Sequence, residues 1–157
     1  MPNFYRIAAG AALLVALVAP ARALDTPEVD FRFSVWGDVV HSPGSLVVSG
    51  RYGGAWGLRA GAWMHDTHAE EGAAKNKLAG FDHVWEYAGW RAGLGAVWID
   101  QKTNLSGTHW DFDVSLSYDL VKHVSVEFHH FSHAKKLGIS EETPNGGWNL
   151  LGLALIF

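Results

Sequence analysis

The sequence predicts an all-β fold, an eight-stranded antiparallel transmembrane β-barrel of the outer membrane. Apolar and polar residues alternate with a period of two through most of the chain after residue 23, which is typical of strands. No apolar run after that residue approaches the roughly 20 residues of a membrane-spanning helix. The 18 Gly and 8 Trp residues suit an antiparallel barrel with tight turns and aromatic girdles.

The first 23 residues have the features of a secretory signal peptide. Arg6 supplies the positive start, residues 7–18 form a short apolar run, and Ala21-Arg22-Ala23 is a small-x-small cleavage site. We therefore expect residues 1–23 to be removed and residues 24–157 to form a single barrel domain. Without Arg6 and Arg22 the 12 basic residues fall to ten, against 16 acidic ones, which argues against nucleic acid as a partner.

Eight segments carry the alternating pattern, and they predict strands at about 29–40, 44–52, 55–65, 81–88, 91–99, 108–119, 122–133 and 147–157. These lengths are close to the 9–11 residues of a tilted strand that crosses a bilayer. The alternating apolar series are, in chain order, Phe31, Phe33 and Val35; Leu46, Val48 and Tyr52; Trp56, Leu58, Ala60, Ala62 and Met64; Trp85 and Tyr87; Ala92, Leu94, Ala96 and Trp98; Trp110, Phe112, Val114, Leu116 and Tyr118; Val124, Val126 and Phe128; and Leu151, Leu153, Leu155 and Phe157.

The positions between the apolar residues hold charges of both signs. They are Arg32, Arg51, Arg59, Arg91, Glu86, Asp111, Asp113 and Glu127. In a narrow lumen these charges can pair with one another, whereas an apolar ligand-binding lumen would accommodate them poorly. We therefore expect the polar face inside and the apolar face outside, as in a membrane barrel. A soluble lipocalin-like carrier is the alternative architecture.

Short and long connections alternate along the chain. Tight turns are predicted at Gly53-Gly54, Ala88-Gly89 and Leu120-Val121, and the other connections are longer. Outer-membrane barrels have short turns in the periplasm and long loops outside. Both ends of the chain are therefore expected in the periplasm.

Three polar residues of the last hairpin share the apolar face. His130 and Ser132 lie two residues apart, so both point to the same side of their strand as Phe128. By the same parity, Asn149 shares a face with Leu151 on the final strand. A Ser beside a His is the smallest unit of a serine hydrolase. Because polar groups in contact with lipid are costly, the cluster indicates a function at the membrane surface or a position in the headgroup zone.

The order His130-Phe131-Ser132-x-Ala134, a loop, and then Pro144-Asn145-x-Gly147-x-Asn149 resembles the lipid A 3-O-deacylase (PagL) family. The family pattern is approximately His-aromatic-Ser-Asn-Ala-Gly, a loop, and Pro-Asn-x-Gly-x-Glu or Asn. The resemblance covers about residues 110–157. Members are eight-stranded outer-membrane barrels that release a 3-hydroxy fatty acid from position 3 of lipid A, so lipid A or lipopolysaccharide is the implied partner. A homodimer is one assembly that such a barrel allows.

The resemblance also implies a role for each site residue. Ser132 would be the nucleophile, His130 the general base, and Asn149 the third member, which orients the imidazole without offsetting its charge. His133 and Lys135 stand where the family has Asn and Gly, at positions that would support the oxyanion. Loss of one oxyanion donor typically lowers the rate by ~10²–10³.

Two further expectations complete the site. Glu142, in the segment 136–143 that lengthens the loop, is a candidate substitute acid, with a solvated charge as the alternative. No cofactor or metal is expected, because the loop histidines lack a recognised ligand spacing. The altered residues Asn149, His133 and Lys135 support an alternative function, a non-catalytic outer-membrane barrel with a structural or lipopolysaccharide-binding role.

Overall fold

The computed structural model describes residues 28–40, 44–65, 76–101, 108–133 and 147–157. The predicted signal peptide at 1–23 lies outside these ranges. No helix among the described residues is long and apolar enough to cross a membrane. The described residues form eight strands: β1 (Asp30–Asp38), β2 (Leu46–Gly53), β3 (Trp56–His65), β4 (Lys77–Tyr87), β5 (Trp90–Ile99), β6 (Trp110–Val121), β7 (Val124–Ser132) and β8 (Trp148–Ile156).

The strands form a closed barrel in chain order, and each is antiparallel to its neighbours. Closure pairs β1 with β8, for example Val35 with Leu153, so the sheet has no free edge. At this junction Gly152 lies against the carbonyl oxygen of Val35, where a Cβ atom would have no room. The predicted eight-stranded antiparallel β-barrel is confirmed.

Apart from the start of β4, every strand boundary lies within two residues of the sequence prediction. β4 begins at Lys77, four residues before the predicted start. Lys77 faces outward there and Leu78 inward, which reverses the pattern that predicts the other strands. β6 continues to Val121, and the tight turn falls on residues 122–123 instead of Leu120-Val121. The register shifts between Asp119 and Val121, which makes Leu120 the extra residue of a β-bulge.

The predicted apolar series face outward along every strand. Leu58 is 69% exposed and Leu153 is 53% exposed, although both lie in the middle of the sheet. Aromatic residues concentrate where the strands end. At the end with the short turns these are Phe31, Tyr52, Trp56, Tyr87, Trp90, Tyr118 and Phe157, and at the opposite end they are Trp98 and Trp110.

The inside of the barrel has two zones. At the end with the long connections, nine buried apolar side chains fill the interior, and the rings of Trp63 and Trp148 lie 5.3 Å apart there. The prediction of a polar lumen is therefore wrong for this end, because Trp36, Trp63 and Trp148 occupy inward positions. The nine residues are Trp36, Val47, Trp63, Leu78, Val97, Ile99, Phe131, Trp148 and Leu150.

The rest of the interior is a network of ion pairs, as the sequence predicts. Asp82, which the sequence argument did not single out, accepts hydrogen bonds from Arg51 at 2.7 Å and Arg59 at 3.5 Å. Arg91 contacts Asp30 at 2.8 Å and Glu86 at 2.9 Å. A space of about 20 Å³ lies among the arginines, enough for roughly one water molecule. The described side chains thus fill the interior instead of lining a pore.

Candidate functional site

The site lies on the outer surface of the hairpin formed by β7 and β8. His130 and Asn149 are directly opposite each other in the ladder, and the His130 Nδ1 atom lies 3.0 Å from the Asn149 Oδ1 atom. An amide oxygen accepts hydrogen bonds and does not donate them, so Nδ1 carries the proton. The other ring nitrogen, Nε2, is then free to accept a proton, which is the tautomer that a general base requires.

Ser132 is the next outward residue on β7 after His130, and Gly147 lies beside both. A Cβ atom built on Gly147 would lie 3.0 Å from the His130 Cε1 atom and 3.3 Å from the Ser132 Cβ atom. The two functional side chains therefore approach one common point. Gly147 has a φ of +70°, a left-handed conformation that glycine adopts without strain, and its lack of a side chain allows His130 and Ser132 to pack closely against it.

The backbone of Asn149 is held by β1. Its N–H group donates to the Asp38 Oδ2 atom at 3.5 Å, and its carbonyl oxygen accepts a hydrogen bond from Val39 at 2.9 Å. Asp38 is itself buried, and its Oδ1 atom accepts a hydrogen bond from the Val40 N–H group at 2.8 Å. These contacts set the position from which the Asn149 side chain reaches His130.

Asp38 was not identified from the sequence. It stands 111 positions before Asn149, and only barrel closure brings β1 beside β8. In the pair of strands that closes the barrel, Asp38 is opposite Leu150. Pairing the first predicted strand with the last would therefore have placed Asp38 beside Asn149.

The consecutive residues His129 and His130 have different surroundings. The His129 side chain is buried inside the barrel, and its Nδ1 atom lies 2.9 Å from Asp113 Oδ1. Its ring also packs 4.3 Å from the Trp36 ring. His129 thus belongs to the interior network, whereas His130 lies outside with Ser132, as the strand alternation predicts.

The surface around the polar cluster is apolar. On β6, Phe112 is opposite Ser132 and Val114 is opposite His130. Among the described strand side chains, the outward positions hold few polar groups other than those of Tyr and Trp. These are Lys77, His83, His130, Ser132 and Asn149. Three of the five therefore converge on one hairpin, at the end of the barrel with the long connections.

Of the other predicted site residues, the structure describes only His133. His133 is 3% exposed and continues the buried series of residues 125, 127, 129 and 131 on β7. That position does not favour its predicted contact with the oxyanion beside Ser132. Lys135 and Glu142 lie outside the described residues. Within the described residues, no group of three or more His, Cys, Asp or Glu side chains is placed to hold a metal ion.

The arrangement supports acyl transfer to a serine hydroxyl. A hydroxyl, an imidazole in the base tautomer and an orienting amide lie together on an apolar surface, and these are the parts of a nucleophile–base–orienter set. No family model, no curated protein and no solved structure matches this chain.

Proposed function

We propose that this protein is an outer-membrane lipid A 3-O-deacylase, a serine esterase that hydrolyses the ester-linked 3-hydroxyacyl chain at position 3 of lipid A. One observation carries the proposal. His130, Ser132 and Asn149 converge on the outside of the barrel, where almost every other outward side chain is apolar. A nucleophile in that position meets a substrate that lies in the lipid, since a substrate in water would not approach through an apolar surface.

The exterior of the barrel supports a location in the outer membrane. An apolar band bordered by aromatic residues at both ends is the surface that a transmembrane barrel presents to lipid. The long connections of such barrels lie outside the cell, and the catalytic hairpin opens at that end. The site would then face the outer leaflet, where lipid A resides, and the substrate would reach Ser132 laterally.

The residues supply the nucleophile and the general base of a two-step hydrolysis. The Ser132 Oγ atom attacks the ester carbonyl carbon while His130 Nε2 takes the hydroxyl proton. When the tetrahedral intermediate collapses, the C–O bond to the sugar breaks and His130 returns the proton to the leaving sugar hydroxyl. A water molecule, deprotonated by His130, then attacks the carbonyl carbon of the acyl-serine. The bond from that carbon to Ser132 Oγ breaks, His130 returns the proton to Oγ, and the 3-hydroxy fatty acid leaves. Asn149 keeps the imidazole oriented throughout, because its Oδ1 atom accepts a hydrogen bond from the Nδ1–H group.

The proposal is tested by mass spectrometry of lipid A from outer membranes that contain the protein. We expect the loss of one 3-hydroxyacyl group with the unchanged protein and intact lipid A with Ser132→Ala. Ser117→Ala, which alters an inward-facing serine, is the matched control and should retain hydrolysis. Intact lipid A with a correctly folded, unchanged protein would refute the enzymatic function.

Removal of the orienting amide should slow hydrolysis without abolishing it. We expect Asn149→Ala to lower kcat by about 10- to 100-fold, less than the ~10⁴-fold effect seen when an acidic third residue is altered, because Asn149 orients the ring but carries no charge. KM should stay unchanged. Steady-state kinetics on purified lipid A in detergent would measure both constants. Asn149→Asp keeps the acceptor oxygen and should remain active, and equal loss in both variants would contradict the role.

A non-catalytic barrel that binds lipopolysaccharide is the second candidate. The neutral Asn149 and the buried position of His133 favour it, since both lower the expected support for a charged transition state. In that case lipid A would copurify intact with the unchanged protein and with Ser132→Ala in equal amounts.

A further inference from the structure

A second feature of the outer surface lies away from the catalytic hairpin. A shallow groove of about 440 Å³ crosses β3 to β6, and its lining is largely apolar. None of its residues belongs to β7, β8 or β1. The lining residues are Leu58, Ala79, Gly80, Phe81, Trp98 and Trp110.

The groove arises from small outward residues between large ones. Ala79 on β4 is opposite Ala60 on one neighbouring strand and opposite Trp98 on the other. The alanines form a floor, and Leu58, Phe81 and the two indole rings rise around it. The groove is open to its surroundings, and its apolar lining suits contact with one side of a hydrocarbon chain.

A positive charge stands at one end of the groove. Lys77 is the outward residue that precedes Ala79 on β4, toward the end of the barrel with the long connections. It is the one outward cationic side chain among the described strand residues. Its backbone N–H group donates to the Asp100 Oδ1 atom at 2.7 Å, which anchors the start of the strand. The apolar groove and the Lys77 ammonium group above it are complementary to a lipid that has a phosphate above its acyl chains.

We propose that this groove binds one molecule of lipid A as a ligand, with an acyl chain against Ala79 and Trp98 and a phosphate on Lys77. Lipid A is the occupant because Lys77 lies at the same end of the barrel as the proposed catalytic site, and therefore in the outer leaflet. The inference rests on the membrane orientation given under the proposed function, but not on the chemistry of Ser132. The bound lipid would fix the position of the barrel relative to the leaflet that supplies its substrate.

Native mass spectrometry of the full barrel in detergent tests this site. The probe is 3-O-deacylated lipid A, which lacks the ester under attack, with and without its phosphates. We expect Lys77→Gln to lower the affinity for the phosphorylated probe about fivefold. We expect Ala79→Trp, which fills the groove, to lower it about tenfold, through the lost burial of roughly two methylene groups. Lys122→Gln, at the turn between β6 and β7, is the control and should bind normally.

The dephosphorylated probe separates a specific site from general lipid contact. The unchanged protein should bind the dephosphorylated probe as weakly as Lys77→Gln binds the phosphorylated probe. Lys77→Gln should bind the dephosphorylated probe with the same affinity as the unchanged protein does. Binding that is insensitive to Lys77 or to Ala79 would overturn the inference. The binding measurement does not depend on hydrolysis. If the protein leaves lipid A intact but binds the probe in a Lys77-dependent way, the result supports this site and refutes only the proposed esterase activity.

Discussion

Replacing Gly147 by alanine should lower the proposed hydrolysis of lipid A by at least about 100-fold while the barrel remains folded. The new Cβ atom would lie 3.0 Å from the His130 ring and 2.8 Å from the Phe131 carbonyl oxygen, so β7 or the imidazole must move. Misplacement of reacting groups by ~1 Å costs on the order of 100-fold in rate. Initial rates of fatty acid release, together with circular dichroism of the refolded barrel, measure both parts of the prediction.

Gly89→Ala is the matched control for this substitution. Gly89 has a φ of +80°, and a Cβ atom there would meet the Tyr118 ring at 3.6 Å, which is ordinary contact. Both substitutions therefore impose a left-handed alanine, with a cost of about 1–2 kcal/mol, but only Gly147→Ala intrudes on the site. Equal activity in the two variants would show that the space beside Gly147 is not where the substrate reacts.

Asp82→Ala should lower the free energy of unfolding by about 3–5 kcal/mol. Its carboxylate faces two buried guanidinium groups, Arg51 at 2.7 Å and Arg59 at 3.5 Å. Removal of the carboxylate leaves both charges inside the barrel without this partner, and an uncompensated buried charge is strongly destabilising. Urea titration of the barrel in lipid vesicles, followed by tryptophan fluorescence, gives the free energy.

Glu86→Ala is the control for the loss of an interior ion pair. Glu86 lies 2.9 Å from Arg91, but its side chain is 26% exposed and Arg91 also contacts Asp30. Because solvent reaches this pair and a second acid remains, the expected loss is below about 1 kcal/mol. A loss at Asp82 as small as that at Glu86 would show that the two arginines find other partners or water.

The fold was predictable because alternation is a local property of each strand. The series from Trp110 to Tyr118 places apolar residues on one face whatever the rest of the chain does. The start of β4 was missed because Lys77 faces outward and Leu78 inward there, which reverses the alternation of the other strands. The apolar zone inside the barrel was missed because Trp36 and Trp63 are ordinary members of the inward series and differ only in what they meet across the lumen.

The catalytic candidates were predictable for a related reason. His130, Ser132 and Asn149 lie on two strands that are consecutive in the chain, so hairpin pairing and parity alone bring them to one face. The surroundings of the site were not predictable in this way. Asp38 reaches Asn149 across the junction of the first and last strands, and the contact of Gly147 with both His130 and Ser132 depends on the path of the chain into β8.

The sequence by itself determined the eight strands, the face that each residue presents, and the motif on the last hairpin, because period-two alternation and hairpin pairing act over a few residues. Only the tertiary structure decided which inward residues meet. Closure brought Asp38 to Asn149. The register of the strands brought Asp82 to two arginines and the tryptophans together at one end. The physical reason is that contacts across a barrel join positions far apart in the chain, and the register of all eight strands together sets which of them face each other.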